Sequence, residues 1–115
     1  MQEFNFDYDK ENDDLFLYSG KSKSKGSVEI GGIILDYNTK KELVGIELMN
    51  ASEILKDITD GKCVLDVLNN LEVCKVDVKR KNKMIIIKLL LLSKKREIMP
   101  ILSIPIMKKS PALYS

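Results

Sequence analysis

The chain contains no histidine and no tryptophan, and it has only two cysteines and three prolines. Without histidine it lacks the commonest general base near neutral pH and the commonest zinc ligand. Two cysteines cannot by themselves complete a tetrahedral zinc site. Cys63 and Cys74 stand outside any C-x-x-C spacing, so they read as free, partly buried thiols of a reducing cytosol and not as a disulfide framework. Aromatic residues make up 6% of the chain, which leaves Ile, Leu and Val to fill the core. The most apolar run, Met84 to Leu92, is interrupted by Lys88 and falls short of the roughly 18 residues of a membrane span. Met1-Gln2-Glu3 opens without a basic or apolar leader, so no secretory signal is expected. The phosphate-cradling pattern G-x-x-x-x-G-K-[ST] is missing. Composition therefore predicts a cytoplasmic protein that is not an enzyme, with no cofactor, no catalytic residue and no membrane contact.

What is present is a globular balance in 115 residues, 44% hydrophobic and 31% charged, which fits one domain. A net charge of +2 conceals a split. Residues 1–20 hold six acids (Glu3, Asp7, Asp9, Glu11, Asp13, Asp14) and one base, whereas residues 75–115 hold eleven bases and two acids. Such asymmetry points to an oppositely charged partner, a nucleic acid or a self-complementary assembly.

Period-two alternation of Phe4, Phe6 and Tyr8 predicts a strand, Asp9 to Asp14 a turn, and Leu15 to Tyr18 a second strand. Residues 19–27 predict a surface loop. Ser27 to Tyr37 reads as one strand with a bulge or a close backbone approach at Gly31-Gly32, followed by a turn at Asn38 to Lys41 and a strand from Glu42 to Met49. The period then changes. Asn50 or Ser52 can cap a short helix carrying Ile54, Leu55 and Ile58, which Asp60-Gly61 ends, and Val64 to Leu71 marks a second helix. Val73 to Val78, Met84 to Leu92 and Ile98 to Met107 predict three more strands, the last at an edge or carrying bulges because of Pro100 and Pro105. The expected fold class is α+β: a mainly antiparallel meander over 1–49, a helical connection over 50–71 with one or two short helices, and a second meander over 72–109, seven strands in all. An internal echo at an offset of 70 sets Phe6-Asp7-Tyr8 over Val76-Asp77-Val78 and Leu15-Phe16-Leu17 over Ile85-Ile86-Ile87, as a duplication would.

Three segments carry a further signal: Tyr8-Asp9-Lys10-Glu11-Asn12-Asp13-Asp14-Leu15, Val28-Glu29-Ile30-Gly31 with Ile34-Leu35-Asp36-Tyr37, and Val44-Gly45-Ile46-Glu47-Leu48 with Ala51-Ser52. In this order and spacing they resemble the domain-of-unknown-function family numbered twenty-two eighty-three, over about residues 4–52. The C-terminal half resembles a longer archaeal type of that family, through Ile104-Pro105 and Pro111-Ala112-Leu113. The resemblance implies a β-meander followed by a helix and brings no activity or catalytic residues. Bacterial relatives often occur encoded beside a small toxin-like protein, which implies an antitoxin-like or partner-binding role.

Four groups of residues are candidates for function. Asp7, Asp9, Glu11 and Asp13 crowd carboxylates as a calcium loop does, but Asn12 and Tyr18 occupy positions where that loop needs Gly and Glu. Asp9 with Asp13, or Asp36 with Glu47, form acid pairs of the kind used in acid–base chemistry, for which turn and surface roles are the simpler reading; Glu47 reads as structural, solvated or bonded to backbone or Ser52. Lys79, Arg80, Lys81, Lys83, Lys94, Lys95 and Arg96, with Lys21, Lys23 and Lys25 in the serine-rich loop, offer phosphate contacts without interleaved aromatics, so nucleic acid is not the expected partner. Finally, a strand apolar on both faces needs cover on both. Ile85, Ile87, Leu89 and Leu91 are therefore the expected interface of a homodimer. The leading reading is a protein-interaction module, with a metal- or small-ligand-binding domain and a nucleic-acid binder as the alternatives.

Overall fold

Alternating side chains decide how this chain is layered. The structure, a computed structural model, describes residues 1–20 and 23–105. In chain order its elements are β1 (Gln2–Asp9), β2 (Asp14–Tyr18), β3 (Gly26–Ile30), β4 (Ile33–Tyr37), β5 (Leu43–Met49), α1 (Ala51–Ile58), α2 (Val64–Asn69), β6 (Val73–Lys81), β7 (Met84–Leu92), β8 (Glu97–Ile98) and β9 (Ile101–Pro105). All strand pairs are antiparallel, in the order β3-β4-β5-β2-β1-β6-β7, with β8 and β9 both laid along the far edge of β7. The chain is thus mostly antiparallel sheet with two short helices, an α+β arrangement.

β1 is the shared strand. Its first residues, Gln2 to Phe4, pair with β6, while Asn5 to Asp9 pair with β2. One face of the whole sheet is apolar: Phe4, Leu15, Leu17, Leu35, Ile46 and Leu48 from the first half, and Cys74, Val76, Ile85, Ile87, Leu89 and Leu91 from the second. Both sets join one core cluster, closed by Ala51 and Leu55 of α1 and by Val64, Val67 and Leu68 of α2. Each fully buried Leu or Ile contributes about 1.5–3 kcal/mol in transfer terms. No charged or polar side chain is fully buried among the described residues.

The helices are short because local chemistry stops them. Thr59 Oγ1 donates to the Leu55 carbonyl at 2.6 Å, and Gly61 turns the chain with φ +78°. Asn70 closes α2, its side-chain amide donating to the Asp66 carbonyl at 2.8 Å. Among the described residues no helix is long and apolar enough to cross a membrane.

Four expectations need correction. Gly31-Gly32 is not a bulge in one strand but a two-residue hairpin turn between Ile30 and Ile33, with φ +53° and +85°, as a primed turn requires. The one irregularity of register along β4 lies at Asp36/Tyr37. Residues 1–49 do not form a simple meander, because β2 pairs with β5 and not with β3, which gives β2 to β5 a Greek-key order. Leu15 and Leu17 are completely buried and need a strand on each side, and the polar connection 19–25 leaves β3 free to start at the far edge. The offset-70 echo holds for which face each hairpin buries but not for register: Phe6 faces Leu17, whereas Val76 faces Leu89. Four residues link the first hairpin and two the second. The last strand is split at Pro100, whose carbonyl still accepts from the Leu89 amide at 3.0 Å, and β9 runs from Ile101 to the last described residue, Pro105. Met107, Lys21 and Pro111-Ala112-Leu113 lie outside the described residues.

Candidate functional site

Hydrogen bonding divides the acidic hairpin into two tasks. Asp9 accepts from the amides of Glu11 and Asn12 at 3.1 and 3.3 Å and from the Asn12 side chain at 2.7 Å, so it builds its own turn. The Asn12 bonds, side chain first, hold its carboxyl below the ordinary range. Asp13, in the left-handed region at φ 54°, turns the other way, toward α1. Its carboxylate accepts from the Ser52 amide at 3.1 Å, the Ser52 hydroxyl at 2.6 Å and the Tyr8 hydroxyl at 2.7 Å. Its carbonyl accepts from the Ala51 amide at 2.8 Å. Asp13 thereby caps a helix 39 residues away. The residue at the helix entry, Asn50, makes no side-chain cap bond, and Ser52 acts as a donor to Asp13. Burial pushes the Asp13 carboxyl up, but the bonds from Ser52 and Tyr8 and the charge of Lys56 outweigh it, so its pKa lies below the usual value. Burial first, then Asp13, push the Tyr8 hydroxyl well above its ordinary value.

Asp7, Asp9, Glu11 and Asp13 are therefore dispersed: Asp7 lies on the outer sheet face, Glu11 on the loop, and the other two are spent on turn and helix. Among the described residues no three metal-ligating side chains converge.

The more distinctive feature is the outer face of β1 to β5, which sequence reading did not assemble. Register aligns Asp7, Phe16, Glu47, Ile34 and Glu29 in one row across five strands. A second row runs Asn5, Tyr18, Gly45, Asp36 and Ser27, and Asp9 faces Asp14 in a third. With Glu3, seven carboxylates point outward, and none of the five strands contains a lysine or arginine. The Phe16 and Tyr18 rings stack at 5.1 Å in the middle of this face, each 37% exposed. Gly45 makes room for the Asp36 side chain, which lies over it. A Cβ there would meet Asp36 Oδ2 at 2.6 Å, while Asp36 accepts from Ser27 Oγ at 2.5 Å. The Glu47 carboxyl is pushed up to about 6 by its hydrogen bond with Asp14, then by burial and by the charges of Asp14, Asp36 and Glu29. One Asp14 oxygen is buried without a partner. Glu47 thus lies beside Asp14 on the outer face, while the Ser52 amide and hydroxyl both donate to Asp13. The signal for this face lay in the sequence as outward acids in every one of five strands, but it needed the strand order to become a patch.

The expected interface residues require correction. Ile85, Ile87, Leu89 and Leu91 are between 0% and 2% exposed inside this chain's own core, so they have nothing to offer a partner. The alternate residues of β7, Met84, Ile86, Lys88, Leu90 and Leu92, are half-buried on the opposite face. Around them stand Lys75, Lys79 and Lys81 of β6 and the exposed Ile101 of β9. Lys79 to Lys83 and Lys94 to Arg96 sit at opposite ends of the nine-residue β7, about 30 Å apart. Arg96 pairs with Asp66 at 3.3 Å and donates to Cys63 Sγ, while Arg80 reaches across to the Lys41 carbonyl at 3.2 Å. Lys21 lies outside the described residues; Lys23 and Lys25 are exposed ahead of β3.

Two clefts lie away from the acidic face. One, of about 370 Å³, opens between the sheet halves beside Phe4, Tyr37, Val76 and Arg80. The other, of about 500 Å³, lies beside Asp66, Leu71, Glu72 and Lys94.

Comparison with known proteins places this arrangement. Residues 5–52 match the model of a family described as a protein of unknown function (DUF2283). That span holds all of the five-strand face except the start of β1 with Glu3, and it holds Tyr8, Asp13 and Ser52. Over 48 residues the chain is 42% identical to an uncharacterized protein of Methanocaldococcus jannaschii, covering 42% of this chain and 41% of that protein. Over 47 residues it is 40% identical to a Methanosarcina mazei protein named "Putative hypoxanthine phosphoribosyltransferase", covering 41% of this chain and 38% of that one. The matched stretch thus spans about two-fifths of each of these curated relatives. No solved structure matches the chain significantly.

Proposed function

We propose that this protein is a small non-enzymatic interaction module that binds another protein through the outer face of β1 to β5. The observation that carries the reading is the patch of seven outward carboxylates around the stacked Phe16 and Tyr18, on five strands without a single cation. Like charges crowded on one sheet face repel and cost stability, and a cationic partner relieves that repulsion. Exposed aromatic rings supply contact area and a face for cations. The antitoxin-like role implied by the family resemblance is one form this takes, with a basic partner protein. The free thiols Cys63 and Cys74 suit a reducing, cytoplasmic setting.

The test is affinity capture from the source cells with native mass measurement of what elutes. A stoichiometric second protein is expected with the wild type and absent with Asp7→Lys/Glu47→Lys, while Lys94→Ala retains it. Equal capture by all three removes the acidic face from the reading.

A self-associating form has its own support. The outer face of β7 leaves Met84, Ile86, Leu90 and Leu92 half-covered and Ile101 46% exposed, the surface a second copy would bury in a homo-oligomer.

A further inference from the structure

We infer that one partner of the acidic face is a second copy of this chain, which docks the outer face of its own β6, β7 and β9 there. The inference rests on the interaction-module reading and names the partner and the surface it presents. The two faces belong to one continuous sheet and differ in sign. Outward residues of β1 to β5 include seven acids and no base. Those of β6 to β9 include Lys75, Lys79, Lys81 and Lys88 against Asp77 and Glu97. Each face also carries an apolar centre: Phe16, Tyr18 and Ile34 on the first, Ile86, Leu90 and Ile101 on the second. Lysine stems can lie along exposed rings while their ammonium groups meet carboxylates.

Size sets the strength. Five strands about 4.8 Å apart and about 20 Å long give a patch on the order of 400–500 Å². That is below the roughly 800 Å² per partner of a standard stable interface, so the contact is weak and salt-sensitive. The two faces share one side of a continuous sheet, so the contact either closes as a two-fold pair, each copy's acidic face on the other's basic face, or extends head to tail.

Sedimentation of the intact chain at about 200 μM and low salt tests this. The weight-average mass is expected to rise with concentration and to fall toward one chain in about 1 M salt, where the Debye length is near 3 Å. Asp7→Lys/Glu47→Lys and Lys79→Glu/Lys81→Glu are each expected to weaken self-association at least tenfold. Mixed in equal amounts, they are expected to recover it, since each supplies the charge the other lacks. All four positions lie on outer faces, and circular dichroism melts of each variant confirm that it is folded. A wild-type mass of one chain throughout overturns the inference and leaves capture of a different partner to decide the module reading. A fixed mass of two chains indifferent to all four substitutions also overturns it, and assigns self-association to the apolar face of β7. Failure of the mixture to associate overturns it as well.

Discussion

Asp13 ties the fold together at one point, because its carboxylate joins the first hairpin to the first helix. It satisfies the amide and hydroxyl of Ser52, anchors the Tyr8 hydroxyl, and sets negative charge at the positive end of α1. Asp13→Ala is expected to cost about 1–2 kcal/mol, at the upper end of helix-cap losses, since three donors lose their acceptor. In a domain of this size that lowers Tm by roughly 3–5 °C per kcal/mol. Asp9→Ala, which disturbs only its own turn, is expected to shift Tm less, and equal shifts would remove the tertiary cap. Because the Asp13 carboxyl is held low, its contribution is present above the ordinary carboxylate range and is lost as pH falls through the depressed folded value.

Glu47 has the opposite sign. Its folded value of about 6 exceeds its ordinary 4.5, so the folded chain binds that proton more tightly than the unfolded chain does. The stability it confers is complete at low pH and is lost as pH rises from 4.5 through about 6. Glu47→Gln removes this titration. Between pH 4.5 and 7.5 the wild type is expected to lose about 0.5–1 kcal/mol relative to the variant, after allowance for solvent screening. Urea midpoints at the two pH values measure the difference, and a variant that loses ground as pH rises contradicts the assignment.

At the scale of elements, the hairpin of β3 and β4 depends on Gly31 and Gly32, both with positive φ. Gly32→Ala puts a side chain into the left-handed region, with the new Cβ 3.5 Å from the Met49 carbonyl oxygen. A loss of about 1 kcal/mol in chemical denaturation is expected, and an unchanged midpoint would mean that the turn relaxes freely. This hairpin also shows how far the sequence could be read. Alternation of Phe4, Phe6, Tyr8, Leu15 and Leu17, and the shift to helical spacing at Ile54 and Leu55, follow from local geometry and were legible. Gly31-Gly32 was ambiguous, because a bulge and a two-residue turn both ask for glycine, and alternation runs through either one. The pairing of β2 with β5 was not legible, since a polar linker such as 19–25 carries no information about which edge the next strand joins. The acidic face inherits that limit: Asp7, Glu29 and Glu47 are far apart in sequence and become a row only through register. The homodimer residues failed for a related reason. A strand apolar on both faces does not say which face its own chain covers, and here the core took Ile85, Ile87, Leu89 and Leu91.

The whole molecule turns on the seam between its two halves. β1 pairs with both β2 and β6, and the core cluster runs without interruption from Leu35 to Ile104. Separating the halves would break the Gln2-to-Phe4 pairing and expose side chains that are almost completely buried on each side, so the chain is expected to unfold as one cooperative unit. Cys74 lies on that seam, opposite Phe4 on one flank and Leu91 on the other, with 0% exposure. Burial pushes its thiol up to about 12, which leaves almost no thiolate at pH 8. Cys63, at the start of α2, is only partly buried. A thiol reagent at pH 8 is therefore expected to label one cysteine promptly and Cys74 only at the rate or population of global unfolding, with the urea dependence of the slow phase matching the full equilibrium m-value. A Cys63→Ser variant isolates that phase. A shallower urea dependence would show that the seam opens while each half stays folded, and the five strands bearing the acidic face would then be an independent unit joined to a separable second sheet.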